Sequence, residues 1–300
     1  MTFKLSAFAD EAADALSEQI EALQTEGIRW LELRGADGIN IGDITPVQAR
    51  EIRRNLGEGG ITVSALGSPY GKIKITDDFA AHLDKFKRTL EVAHILDAPY
   101  MRMFSFYLDG RTHADAKAQV IDQIGQLLDA AAGSGVVCCH ENEKGIYGDT
   151  DGYCAELMEA FGGRLGCVYD PANFLQCGVA AWPAFERLLP YTTYYHMKDV
   201  ESANGSVGQA GGCVVPAGDG DGEIVRILRT LKDQPGETFL SLEPHLWQFT
   251  GLAALEEDRG EGLKHKYRFA SGRESFAAAA SALKGCLGEA GYRSNGEVWA

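Results

Sequence analysis

Positive charge is scarce in this chain. Its 300 residues hold 43 Asp and Glu against 28 Lys and Arg, a net charge of −15, with only seven His. Neutralising a nucleic-acid backbone or an anionic lipid surface takes clustered cations, so neither is expected as a partner. Long hydrophobic runs are missing too, and nothing approaches the ~18–20 apolar residues that cross a bilayer. The opening MTFKLSAFADEAAD has one Lys and a brief apolar run before its acids, without the extended core of a signal peptide. A cytoplasmic location is expected. The cysteines (Cys138, Cys139, Cys154, Cys167, Cys177, Cys213 and Cys286) are odd in number and form no CxxC pair. They read as free thiols, mostly buried, in a reducing compartment. A dinucleotide fingerprint and a P-loop are absent: AFADEA follows the first strand candidate where G-x-G-x-x-G would stand, and no GK[ST] occurs. No Pro- or Ser-rich linker divides the chain, so residues 1–300 are expected to form a single domain.

What is present is ample apolar matter, 45 % of the residues, which excludes general disorder. Short β-branched and aromatic runs recur at about 3–8, 28–34, 61–66, 99–106, 136–141, 165–170, 192–198 and 238–243. Helix-like segments fall between them. Leu16, Ile20 and Leu23 repeat at i, i+4, i+7, and so do Phe79, Leu83 and Phe86. Further helix candidates cover about 45–56, 114–133, 151–161, 180–189, 223–232 and 274–290. Eight alternations predict a parallel α/β sheet with helical crossovers, and their number and length fit a closed (β/α)8 TIM barrel better than an open doubly wound sheet. Two stretches exceed ordinary loop lengths, 200–222 with its seven glycines and the charge-rich 246–273. Both lie on the strand-exit side, where barrel active sites form.

Four consecutive late strands end in a metal-capable side chain: Glu141 in CCHENE, Asp170 in CVYDPANF, His196 in YYHMKD and Glu243 in LSLEPH. Side chains alternate along a strand, so Cys139 and Glu141 share a face, as do Val168 and Asp170, Tyr194, His196 and Lys198, and Ser241, Glu243 and His245. Taken singly, a strand-end carboxylate more often caps a loop, and a lone His more often sits satisfied in a core. Four in successive strands converge on the barrel mouth. Three carboxylates and an imidazole suit one divalent cation, Mn²⁺ foremost, with Mg²⁺, Co²⁺ or Zn²⁺ compatible.

With HENEKGIYGDT, VYDPANF, YYHMKD, VPAGDGDGEI and SLEPH in view, the chain resembles the sugar isomerase/epimerase superfamily of xylose isomerase-like TIM barrels. That group includes ketose 3-epimerases, hydroxypyruvate isomerase, inosose dehydratase and endonuclease IV. The resemblance implies that Glu141, Asp170, His196 and Glu243 bind the metal and that Glu141 and Glu243 also form the acid/base pair. It implies a metal-dependent isomerase or epimerase of a sugar, sugar phosphate or cyclitol, acting through a cis-enediolate; the alternative is a dehydratase of an inosose-like or keto-sugar substrate. Barrels of this group often associate, so a homo-oligomer is compatible. Several 3-epimerases carry His three positions after the Asp, where this chain has Asn173. Asn can hydrogen-bond a hydroxyl but cannot serve as a general acid.

Asn173, Lys198, His245, Arg102 and Glu32 are the candidate substrate contacts, with Arg34 and Glu143 as similar strand-borne groups; His140 falls on the opposite face from Glu141 and is expected to be structural. The PAGDGDGEI segment offers backbone N–H groups that could receive a phosphate, but its acids would repel a dianion, and it reads mainly as a shaped turn and helix cap. Lys264, Lys266, Arg268 and Arg273 form a basic cluster that is read chiefly as a solvated charge run.

Overall fold

All eight strand candidates form and close on one another. The structure, a computed structural model, describes residues 1–249 and 266–300. The chain runs β1 (Thr2–Ala7), α1 (Leu16–Thr25) and β2 (Trp30–Leu33), then a small hairpin of β3 (Gly35–Ala36) and β4 (Ile39–Asn40). There follow α2 (Pro46–Glu58), β5 (Thr62–Leu66), α3 (Phe79–Ile95), β6 (Tyr100–Met103), α4 (His113–Ala131), β7 (Val137–Glu141), α5 (Asp151–Phe161) and β8 (Gly166–Tyr169). Next come α6 (Pro171–Gln176), α7 (Ala181–Leu188), β9 (Thr192–Met197) and a second hairpin of β10 (Asp199–Ser202) and β11 (Gly212–Val215). Then α8 (Ile224–Lys232), β12 (Glu237–Leu242) and α9 (Gly272–Glu289) complete the described elements. The barrel order is β1-β2-β5-β6-β7-β8-β9-β12, returning to β1. Neighbours are parallel throughout, and β1 seals the circle against β12 from Thr2↔Glu237 to Ala7↔Leu242.

The helices start where local chemistry supplies their orphan N–H groups with partners. Before α2, the Thr45 hydroxyl accepts from the Gln48 backbone and Gln48 Oε1 accepts from the Thr45 backbone, with Pro46 in the first turn. This reciprocal cap stabilises the helix start by about 1 kcal/mol, and the helix then buries Ala49, Ile52 and Leu56 on one face. Thr112 caps α4 with its side chain, its hydroxyl accepting from Asp115 N.

Alternation along the strands sorts side chains between two cores. Cys138, Cys167, Tyr195, Leu240 and Leu242 point outward into the large core beneath the helices. Ala65, Cys139, Val168 and Tyr194 point inward and form a small apolar plug, with Tyr100 and Phe239 against it. Two residues beyond Cys139, Val168 and Tyr194, on the same inward face, stand Glu141, Asp170 and His196. The plug is therefore the floor on which the polar cluster rests.

One expectation needs correction. The stretch 200–222 is not a plain loop: Asp199–Ser202 and Gly212–Val215 pair as an antiparallel hairpin, whose glycine-rich connection conceals the alternation of a strand. The six-residue α6 was also unforeseen, being too short to show a helical period. Of 246–273, residues 250–265 and with them Lys264 lie outside the described residues. Lys266 and Arg273 make exposed ion pairs with Glu201 and Glu21 at 2.9 and 2.7 Å. Cys138, Cys139, Cys154, Cys167 and Cys286 are buried free thiols, and Cys177 and Cys213 are half-buried. Among the described residues no helix is long and apolar enough to cross a membrane.

Candidate functional site

Four strand exits meet at one point. Glu141 ends β7, Asp170 follows β8, His196 is the penultimate residue of β9 and Glu243 follows β12. Each offers a ligand-type atom, all within 4.8 Å of one another, and all four side chains are buried. His196 Nδ1 faces into the group, 2.9 Å from Glu141 Oε1 and 3.3 Å from Glu243 Oε2. Asp170 is held at the start of α6, where its Oδ1 accepts from the backbone of Ala172 and Asn173 at 2.8 and 3.1 Å. Its Oδ2 is left over and turns to Lys198 Nζ at 3.0 Å.

These residues fit a divalent ion on three counts. Oxygen-rich donors with one imidazole are the set such ions take. Glu141 Oε2 and Asp170 Oδ2 are buried with no well-directed hydrogen-bond donor, although Arg102 and Lys198 stand 3.2 and 3.0 Å away. The surroundings are also rich in acid: six buried carboxyl groups (Asp10, Glu11, Glu32, Glu141, Asp170, Glu243) surround Arg34, Arg102 and Lys198. Burial, against the pull of Lys198, pushes the Asp170 carboxyl up to about 7. Glu243 suffers the same burial, yet Lys198 foremost, with His196, holds it well below the usual carboxylate range. For His196, burial opposes the charged ring, but Glu141, Glu32 and Glu243 outweigh it and raise the imidazole well above its ordinary value. The cluster attracts positive charge.

Most of the residues expected from sequence are brought to this mouth, several in roles that the sequence does not specify. Arg102 lies between the two glutamates, its NH1 3.2 Å from Glu141 Oε2 and 3.4 Å from Glu243 Oε1, while NH2 donates to Gly67 O. Lys198 Nζ reaches Asp170 and, at 3.4 Å, Glu243. Asn173 Nδ2 donates to Asn142 O at 2.9 Å and Glu141 Oε1 at 3.3 Å. Glu32 sits deeper, accepting from Tyr194 Oη at 2.9 Å, with both oxygens 3.2 Å from His196 Nε2. His245 Nε2 is 3.4 Å from Glu243 Oε1, and burial, reinforced by Lys198, brings its ring down to about 3, so it is neutral. Glu143 pairs with Lys72 at 2.8 Å; burial disfavours its charge, but Lys72 and Lys198 hold it at about 2. His140 turns away, its Nε2 on Ser105 Oγ at 2.9 Å.

Several residues escaped the sequence reading. Asp10 and Glu11, on a one-turn helix after β1, bind Arg34 from the side; their only signal was an acidic pair at the exit of the first strand. Burial pushes Glu11 up to about 8, with Arg34 pulling the other way. Lys72 lies on a loop with no distinguishing motif. In the PAGDGDG turn the backbone N–H groups of Gly218, Gly220 and Gly222 donate to the Asp199 carboxylate at 2.9, 3.1 and 2.9 Å. That internal anion takes the place imagined for a phosphate. Burial raises Asp199 to about 6 and these amides draw it back.

The geometry can be set beside known proteins. A family model described as a xylose isomerase-like TIM barrel matches residues 20–266. Among solved structures, the IolI protein with a bound zinc atom is 15 % identical with a TM-score of 0.73, covering 95 % of this chain and 98 % of its own. D-psicose 3-epimerase of Clostridium cellulolyticum H10, crystallised with D-tagatose, is 13 % identical with a TM-score of 0.71, over 95 % and 99 % of the two chains. The probable 3-DHS dehydratase AsbF of Bacillus anthracis is 16 % identical with a TM-score of 0.69, again over 95 % and 99 %. At these identities the likeness is one of fold. No curated protein matches the chain.

Proposed function

This chain belongs to the xylose isomerase-like TIM barrel family, and from that premise we propose that it is a metal-dependent isomerase or epimerase of a sugar, sugar phosphate or cyclitol, working through an enediolate. The observation that carries the reading is the buried convergence of Glu141, Asp170, His196 and Glu243. These four would hold one divalent ion, Mn²⁺ first, with Mg²⁺, Co²⁺ or Zn²⁺ suited to the same donors. When bound, the ion supplies Lewis-acid polarisation of a carbonyl and stabilises developing oxyanion charge.

The protein's own residues do the rest. Glu141 removes the proton α to the carbonyl, and the proton it then carries returns to the enediolate from Glu141 itself or by way of Glu243, which faces it across the site. Arg102, within 3.4 Å of both, sits between the two carboxylates and offsets their mutual repulsion. Asn173 orients Glu141 through its amide, and Glu32 orients His196; both are assigned to positioning instead of substrate contact. Lys198 and His245 remain the groups nearest an incoming hydroxyl. The plug beneath excludes water from below.

A second reading, dehydration, is favoured by one observation: a buried ammonium, Lys198 Nζ, lies beside Asp170 and Glu243 where a departing hydroxyl would need a donor. Those carboxylates hold Lys198 above its ordinary value, which makes it a better electrostatic partner than proton donor and leaves isomerisation in front. The test is a metal-supplemented screen of ketoses, aldoses and inososes for proton exchange from D₂O. Metal-dependent exchange with conserved product mass is expected; loss of a water mass selects the dehydratase, and full activity after thorough chelation overturns the metal chemistry.

A further inference from the structure

Glu243 belongs to two clusters at once. Its Oε2 turns toward His196 and Lys198, while Oε1 turns toward a second group, in which Glu11, Glu243 and His245 again present ligand-type atoms within 4.8 Å of one another. That second group already contains a cation. Arg34 NH1 stands 3.2 Å from Glu243 Oε1 and 3.5 Å from His245 Nε2, and NH2 stands 3.1 Å from Glu11 Oε1. Behind it, Asp10 grips the guanidinium in two-point fashion, Oδ2 on Nε at 2.8 Å and Oδ1 on NH2 at 3.0 Å. Phe8 and Phe249 lie 4.5 and 4.3 Å from its central carbon. Arg34 is 2 % exposed, so it cannot swing out to meet a ligand.

The physical consequence follows from charge. The carboxyl groups of Asp10, Glu11 and Glu243, gathered with an imidazole in a low-dielectric wall, favour a cation among them, because a buried carboxylate left unpaired is strongly destabilising. A guanidinium fulfils this permanently, since it does not lose its proton. Without it, the same oxygens and nitrogen would be a donor set suited to a divalent ion, sharing one carboxylate with the first centre. We propose that Arg34 is the built-in cation of this second cradle, and that by filling it Arg34 limits the centre to a single exchangeable metal ion while anchoring Glu243 Oε1. The inference rests on the reading of Glu141, Asp170, His196 and Glu243 as a divalent-ion site.

Counting bound Mn²⁺ tests it, by native mass spectrometry and by electron paramagnetic resonance on reloaded full-length protein. Wild type is expected to hold one magnetically isolated ion. Arg34→Met, similar in reach but uncharged, is expected to hold two, with the coupled signal of ions sharing the Glu243 carboxylate. Arg34→Lys restores a cation and should return to one, as should Glu11→Gln combined with Arg34→Met. Two ions in wild type, or one in folded Arg34→Met, overturn the inference while leaving the first centre intact. A wild type that binds none overturns the metal centre itself, and this inference with it. Should Arg34→Met unfold when free of metal, melting it in graded Mn²⁺ decides: two-ion dependence is expected against one-ion dependence in wild type, and one-ion dependence in both overturns the proposal.

Discussion

Both carboxylate oxygens of Glu32 stand 3.2 Å from His196 Nε2, on the side of the ring turned away from the carboxylate cluster. Tyr194 donates to one of them from below, and the Phe8 ring meets the imidazole edge-on at 5.1 Å. The ring is thus fixed in direction from behind, and its Nδ1 has no choice but to face Glu141 and Glu243. A carboxylate behind a ligating histidine also raises the basicity of the nitrogen in front.

Glu32→Gln should therefore lower Mn²⁺ affinity by roughly 10–100-fold while leaving the fold intact, because the amide still offers an oxygen to Tyr194. Competition against a chelator of known affinity measures it. Unchanged affinity would mean that packing alone holds the ring.

Glu141 and His196 should separate chemistry from metal binding. Glu141→Gln keeps a coordinating oxygen but loses the base, so proton exchange should fall at least 100-fold while Mn²⁺ still binds detectably. His196→Ala should weaken Mn²⁺ by more than the ~10–100-fold typical of losing a residue behind a ligand. Near-normal turnover by Glu141→Gln on an identified substrate would remove it from the acid/base pair.

The convergence of Glu141, Asp170, His196 and Glu243 was legible because each obeys a local rule. Inward parity along an apolar strand, with one polar side chain at the exit, is visible in CCHE and YYHM without any partner. Glu32 was legible as a strand-borne acid, but its role depends on His196, 164 positions away. Asp10 and Glu11 acquire meaning only through Arg34, and Lys72 only through Glu143, 71 positions distant. Asp199 looked like one more acid because its four partners are backbone amides, which leave no trace in side-chain identity. The barrel was written in periodicity; the electrostatic scaffold around its mouth was written in long-range pairs.

His82 should give the protein an acid-sensitive stability. Its Nε2 accepts the Gly71 N–H at 2.9 Å, which an imidazolium cannot do. Gly71 is itself fixed, at φ +86 with a Cβ position only 2.1 Å from Phe104 O. Burial, helped by Lys85, lowers the ring to about 4 from the ordinary 6.5. The folded state thus binds the proton less readily than the unfolded one. Its contribution is full above pH 6.5 and is lost as pH falls through about 4, with a slope of up to ~1.4 kcal/mol per pH unit between. Urea midpoints across that window should be flatter in His82→Gln, which can accept the N–H without titrating. An identical slope in both proteins would assign the acid sensitivity elsewhere.

The Asp199 carboxylate accepts backbone N–H groups from Val200, Gly218, Gly220 and Gly222 at 2.8–3.1 Å, and this fastens the turn that leads from the β10–β11 hairpin into α8. A Cβ on Gly220 would fall 2.4 Å from Asp199 Oδ1 and 2.6 Å from Val200 O, and neither atom can retreat without breaking its other bonds. Gly220→Ala should cost about 1–3 kcal/mol through this overpacking. Asp199→Asn, which places N–H groups against N–H groups, should cost a similar ~1–3 kcal/mol. Because both act on one contact, the double variant should lose clearly less than the sum. Hydrogen exchange at 218–222 should quicken in either single variant, with Mn²⁺ affinity held within about threefold, since His196 and Glu243 are fastened by their own strands. Additive losses, or a collapse of metal binding in Gly220→Ala, would show that the turn supports the centre directly and that Asp199 is more than its clamp.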